Sequence, residues 1–331
     1  MPAFKLSRRQ LAVVAMLINV VVWGAALPIS KIALQETTTF HFLLFRFGLA
    51  AILSLPILLF YLWRLRPSWQ KLGTIILLEL LGTSLALGAL YLGLDRTSAL
   101  EASFLTTTLP IFITFGGILF LHERQNSHEW LGLLLAFGGT LFLVFEPLLS
   151  GKTTLSEISF WGNVLVLLSN VISTAYYLLA KKYYQKVPKF FVTSVSFWVG
   201  TITFFVMSWW ANGFGFWSTL FDLQADLALP VIFWPSLYMA IFGSIIGLTV
   251  YIIGQDLIEA SEASLFNYLH PFIYVPLSML FFGDRFSLPM ILAIGLIGFG
   301  VYWGERRLKP RSRLAKSATK SKKKATRLPD K

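Results

Sequence analysis

Residues 99–124 and 260–285 are one segment written twice, at a fixed offset of 161 and without a gap. Ala99, Glu101, Ala102, Ser103, Pro110, Leu119, Phe120 and Arg124 meet Ala260, Glu262, Ala263, Ser264, Pro271, Leu280, Phe281 and Arg285. Glu123 meets Asp284, a conservative exchange. Each copy has a small and polar entry, an apolar run interrupted by proline, and an acid–arginine exit. Shared Glu, Ser, Pro and Arg at one offset do not arise from two apolar helices merely being rich in Leu and Phe. Two related halves that build one site between them are the architecture of carriers.

The solvent for this chain is lipid. Of its 331 residues 56% are hydrophobic and only 13% are charged, in apolar runs far longer than a soluble core requires. It has no cysteine, which excludes disulfides, a thiol nucleophile and thiolate metal sites. The net charge of +12 does not point to nucleic acid, because 12 of the 28 Lys and Arg residues follow Glu305 in a tail without apolar periodicity. That tail, with Lys322, Lys323 and Lys324, reads as disordered and suited to adhesion on anionic lipid. Lys5, Arg8 and Arg9 precede an apolar run from Leu11 to about Leu34, too long for a signal-peptide core, so a first transmembrane helix is expected there.

Runs of spanning length fall at roughly 11–33, 41–63, 72–94, 99–121, 129–149, 158–180, 190–211, 230–253, 263–282 and 288–304. The longest connection, Ala211–Pro230, carries Asp222 and Asp226 and no basic residue. An even number of spans puts both termini on one side. That side holds the N-terminal basics, Arg64, Arg66, Lys71, Arg124, Lys181, Lys182, Lys186, Lys189 and the tail; the opposite loops hold Arg96, Lys152 and Arg285. The positive-inside rule therefore places both termini in the cytoplasm of a cell membrane. Five spans per half is an odd number, so the halves lie in opposite orientations. The expected fold is an all-α integral membrane protein of ten transmembrane helices in two five-helix inverted-topology repeats. Its divisions are a cytoplasmic N-terminus (1–10), a first repeat (11–149), a second repeat (150–304) and the basic tail (305–331). Lys31 and Lys181 extend the symmetry at an offset of 150.

These features resemble the drug/metabolite transporter superfamily, and within it the EamA-type permeases. The resemblance covers about residues 11–304. It rests on the two repeats, Trp23-Gly24…Lys31 in span 1, Arg46 in span 2, and Ala-x-Glu-Ala-Ser…Pro…Glu/Asp in spans 4 and 9. The second half departs from the pattern with Ser173 opposite Trp23 and no counterpart of Arg46. The resemblance implies a secondary carrier, often an exporter of amino acids or related metabolites, with a central cavity between the repeats.

Helical spacing nominates cavity residues without that resemblance. Ser103, Thr107, Pro110, Thr114 and Gly117 recur at steps of three and four in span 4, and Ser264, Asn267, Pro271, Tyr274 and Ser278 do so in span 9. Span 6 offers Asn163, Asn170, Thr174 and Tyr177; span 1 offers Asn19, Trp23 and Ser30. Polar groups cost several kcal/mol each when unsatisfied in hydrocarbon, so such stripes face other helices or water. Pro110 and Pro271 leave backbone carbonyls without their usual partners, as ligands, hinges or static kinks. The aromatics Trp23, Tyr91, Tyr176, Tyr251, Tyr268 and Tyr274 could stack on a planar or apolar substrate. Ser236, Ala240, Gly243 and Gly247 in span 8, with Gly300 and Gly304 in span 10, read as close-packing faces.

Ionisable groups at depth are expensive and mark function. Glu79 in span 3 is the candidate for a proton- or cation-coupling carboxylate, the alternative being a Glu bonded to Thr83 or a neighbouring helix. Arg46 could hold a substrate carboxylate or clamp helices; its depth differs from that of Glu79 by roughly 15 Å at 1.5 Å per residue, too far for a direct pair. His270 adjoins Pro271 on the presumed cavity face. Lys31 with Glu101 and Lys181 with Glu262 are candidate alternating gates, the alternative being snorkelling lysines. Glu123 and Asp284 read as helix-end anchors.

The function expected is alternating-access export of a small metabolite, amino acids first. The alternative is a multidrug or lipophilic-cation exporter, against which Arg46 and His270 argue by charge. No intramembrane hydrolase motif and no P-loop is present, so neither an enzyme nor ATP-driven pumping is expected. No cofactor and no metal is expected. The expected partners are a small-molecule substrate and the lipid bilayer, with a homodimer left open.

Overall fold

The computed structural model describes residues 7–96, 105–106, 108–123, 125–149, 160–185, 187–282 and 288–305. Among the described residues there are helices and no strands, as lipid demands of a chain whose backbone must satisfy itself. Six helices are long and apolar enough to cross a membrane. They are α1 (Arg8–Leu34), α2 (Thr39–Leu65), α3 (Trp69–Arg96), α6 (Phe160–Tyr183), α7 (Lys189–Ala211) and α9 (Pro230–Leu257). Between and after them lie α4 (Leu109–Leu121), α5 (Ser127–Leu149), α8 (Phe216–Ala228), α10 (Ala260–Leu265), α11 (Pro271–Phe282) and α12 (Leu288–Glu305).

Local chemistry sets these boundaries. Ser7 and Gln10 form a capping box at α1, and Thr38 and Ser68 cap α2 and α3 with their hydroxyls. The α4 helix ends on His122 at φ 54°, a left-handed cap that turns Glu123 back along the helix; the Glu123 amide then donates to the Gly117 carbonyl.

Three details depart from the sequence expectations. The connection 211–230 contains a helix, α8, whose Trp217 and Phe221 face outward while Thr219 and Leu223 are buried. An amphipathic helix this short has no run of spanning length, which is why hydropathy reads it as a loop. The expected single span 263–282 is interrupted: α10 passes into one 3₁₀ stretch, Phe266–Leu269, before α11 starts at Pro271. Pro271 lacks the amide that would continue the α-helix across this point. Both α3 and α9 carry a π-helical segment at mid-length, Leu80–Ala86 and Met239–Ile246.

The core lies where α2 crosses α7. Phe47 stacks on Phe204 (5.7 Å, 22°) and meets Phe197 at 6.5 Å. Gly200 makes room for it, since a Cβ there would lie 2.8 Å from the Phe47 ring. The expected small-residue packing holds for α5 against α12. A Cβ on Gly300 would come within 2.8 Å of the Gly132 carbonyl, so the two backbones touch.

Candidate functional site

A π segment inserts one residue into a helix, leaving carbonyls free for donors from elsewhere. The two segments share a position: Gly82-Thr83 in α3 and Gly243-Ser244 in α9 stand 161 residues apart. Each is gripped by side chains of the other half.

Around the α9 segment, the Trp23 indole N–H donates to the Gly243 carbonyl at 2.9 Å and the Asn19 amide to the Gly247 carbonyl at 3.0 Å. Arg46 Nε donates to Ser244 Oγ at 2.9 Å. The guanidinium lies 5.1 Å from the Phe47 ring, and a second nitrogen reaches Tyr91 Oη at 3.5 Å, a weak contact. Tyr91 in turn meets Ser30 Oγ at 3.3 Å. Arg46 is 7% exposed, and no carboxylate pairs with it among the described residues. Burying a guanidinium costs at least about 2.5 kcal/mol at a helix centre, and hydroxyls offset only part of that.

Aromatic rings lie beside this group. Trp23 stacks on Tyr251 at 5.1 Å and 21°, and Tyr177 meets Tyr251 at 5.1 Å. Asn267 lies beside the Tyr251 hydroxyl without hydrogen-bond alignment. Four buried atoms, Asn19 Oδ1, Tyr251 Oη, Asn267 Oδ1 and His270 Nε2, have no hydrogen-bond partner among the described residues. Each such group costs about 1–3 kcal/mol, which a ligand or water can recover. These side chains come from α1, α9 and the 3₁₀ stretch before α11, so the group spans both halves of the sequence.

Around the α3 segment the chemistry inverts. Glu79 is fully buried, and its carboxylate accepts from Tyr184 (2.7 Å), Thr83 (2.9 Å) and Tyr176 (3.1 Å). Thr83 also meets Ser196 Oγ at 2.7 Å. The Glu79–Thr83 bond foreseen from sequence is present, with two tyrosines beside it, and Arg46 is not among the partners.

A third cluster joins α4, α6 and α10. Lys181 pairs with Glu123 at 3.5 Å and donates to the Ile258 carbonyl. Glu123 accepts from the Ala260 amide (2.8 Å), the Ser261 amide (3.3 Å) and the Ser261 hydroxyl (2.9 Å). These contacts join the end of α4 to the start of α10, and Glu259 and Glu262 add to the field that Glu123 sets around Lys181.

Pro110 is buried at the start of α4. Asn170 donates to the Leu105 carbonyl (2.7 Å) and Thr108 Oγ1 (3.0 Å) just before α4, and Thr174 donates to the Asn170 carbonyl of its own helix. Glu101, Ser103 and Thr107 lie outside the described residues, as do the side chains of Pro271 and Tyr274. Sequence reading missed Ser196, Tyr184 and Ser244. The two serines carried a signal, since Ser196 stands 150 residues after Arg46 and Ser244 stands 161 after Thr83, whereas Tyr184 carried none.

The profile of the EamA-like transporter family matches this chain twice, at residues 10–145 and 160–303. The chain belongs to the EamA-like transporter family. The two matches make this chain a duplicated, multi-pass membrane protein of a transporter family. It is 32% identical over 157 residues to the uncharacterized transporter YdfC of Bacillus subtilis, covering 47% of this chain and 48% of the relative. It is 36% identical over 120 residues to an uncharacterized transporter of Synechocystis, covering 35% and 36%. An uncharacterized transporter of Archaeoglobus fulgidus matches at 25% over 162 residues, covering 49% and 54%. The chain thus spans about half or less of the length of the relatives it matches. One crystal structure superposes on 94% of this EamA-like chain and 99% of its own at a TM-score of 0.65; at 14% identity this shows a common fold.

Proposed function

We propose that this EamA-like protein is a secondary carrier, acting as an exporter, for small metabolites bearing a carboxylate, amino acids first. Its ten spans form two inverted repeats in the cell membrane with both termini cytoplasmic, and the site between them is exposed alternately to each side. The observation that carries the substrate class is Arg46. It is a buried guanidinium at the contact of the two halves, with hydroxyl partners and no carboxylate beside it among the described residues, and a guanidinium is the group that holds a carboxylate bidentately. Trp23, Tyr177 and Tyr251 supply an apolar, planar surface nearby for the rest of the substrate. The Asn19, Asn267 and His270 atoms that have no partner among the described residues supply polar contacts for an amino group or solvent. Lys181 and Glu123 act as the inner gate and Lys31 with Glu101 as the outer one.

The test is flux in liposomes holding the purified protein, with a pooled L-amino-acid panel and, separately, a panel of lipophilic cations. Amino-acid flux that disappears in Arg46→Met supports the reading. Flux of lipophilic cations alone overturns it in favour of the multidrug alternative.

A further inference from the structure

Glu79 has no charged partner among the described residues, only hydroxyls, and their arrangement is informative. Tyr176 and Tyr184 approach from α6 and the residue just past its end, Thr83 from the π segment of α3, and Ser196 from α7 behind Thr83. A lysine or arginine would hold the carboxyl in its charged form. Hydroxyls do not, because each can donate to a carboxylate or accept from a carboxylic acid. Thr83 shows how the switch works. It donates to Glu79 Oε2 when the group is ionised; when Glu79 carries a proton, Thr83 can accept it and donate instead to Ser196 at 2.7 Å. Both states are then fully hydrogen-bonded, which a buried group requires.

We propose that Glu79 is a proton-binding site, one per chain, exchanging its proton at the end of the bundle where Tyr184 lies. A proton fits better than a metal cation. The carboxylate and its hydroxyl oxygens are joined directly by hydrogen bonds of 2.7–3.1 Å, which a proton shares and a bound cation would have to break. One site per chain follows from the repeat: 161 residues after Glu79 stands Ala240, and 150 residues before Ser196 stands Arg46. The duplicated frame holds an acid in one half and a base in the other. Tyr184 links the site to the surface, since its carbonyl accepts from Lys189, which pairs at 3.2 Å with the partly exposed Asp256. That this proton drives transport rests on the carrier reading; its binding does not.

The experiment is infrared difference spectroscopy of the purified full-length protein between acid and alkaline pH, with ¹³C-labelled glutamate. The expected result is a carboxyl C=O band that titrates as one group, is absent in Glu79→Gln, and is unchanged by sodium at fixed pH. In Tyr184→Phe and Thr83→Val its midpoint moves by about one pH unit, the worth of one charge-assisted hydrogen bond. These two variants decide the question if Glu79→Gln does not fold. A band that survives in Glu79→Gln, midpoints that stay fixed in both other variants, or a band displaced by sodium overturns the proposal. Loss of amino-acid flux with the titration intact would instead sink the carrier reading alone.

Discussion

Arg46 and Thr83 each hydrogen-bond a serine of the opposite half: Arg46 binds Ser244 at 2.9 Å and Thr83 binds Ser196 at 2.7 Å. The two contacts are copies of one another, because Ser244 stands 161 residues after Thr83 and Ser196 stands 150 after Arg46. One copy has become cationic and the other is joined to the Glu79 carboxyl. The copies should therefore respond differently to the same truncation. Ser244→Ala removes the one well-aligned hydrogen bond of Arg46 among the described residues, leaving the Phe47 ring and the weak contact to Tyr91, so KM for a carboxylate substrate rises about three- to tenfold, the worth of roughly 1 kcal/mol. Thr83→Ala should leave KM unchanged. Equal shifts in liposome uptake would refute the division of labour.

The Glu123–Lys181 cluster ties α10 to α4 and α6 through one carboxylate that accepts from Lys181 and from two amides. Its loss should open the bundle at that end. The chain has no cysteine, so a cysteine placed at the buried Ser264 reports access without background. In Glu123→Ala, its labelling by a membrane-impermeant maleimide from the inner side should accelerate at least about tenfold, as expected for loss of an interaction near 1.4 kcal/mol. An unchanged rate would deny the cluster a gating role.

Helix α8 meets α7 through Asn212–Asp222 and Phe205–Phe216, and its far end is latched separately. Thr37 and His41 both meet Asp226 Oδ2, the histidine at 2.8 Å, so the α8 end is tied to the start of α2. Asp226→Ala should raise amide exchange across Phe216–Ala228 by about tenfold or more while leaving α7 protected. Exchange rising equally in both helices would mean that Asp226 stabilises the whole fold and not this latch.

How far the sequence revealed this molecule follows the physics of each signal. Spanning helices were legible because lipid imposes length and apolarity together, and the duplicated Glu, Ser, Pro and Arg positions exposed the repeat. Glu79, Arg46 and Trp23 were legible because charge and indole nitrogen at depth need partners. The partners themselves were not. Tyr176 and Tyr184 reach Glu79 from 97 and 105 residues away, and nothing in a helical pattern encodes such pairing. The π segments were hidden for the same reason: one inserted residue barely disturbs hydropathy. Gly243 and Gly247 read as close-packing positions, whereas their carbonyls also receive Trp23 and Asn19.

The α5–α12 contact makes a stability prediction independent of transport. Gly132 and Gly300 bring two backbones together, so Gly300→Leu must push them apart. Overpacking of this kind costs about 1–3 kcal/mol or more, and the detergent-solubilised protein should melt several degrees lower. An unchanged melting temperature would place this face against lipid.

The measurement that bears most directly on the proposed site is counterflow in liposomes with an amino acid and with the amine that lacks its carboxyl group. The wild-type protein should exchange the acid and discriminate against the amine by about ten- to a hundredfold, the worth of a charge-assisted pair of roughly 1.5–3 kcal/mol. In Arg46→Met that preference should vanish. Discrimination that survives in Arg46→Met would contradict the assignment of the carboxylate to Arg46 and with it the site at the α9 segment.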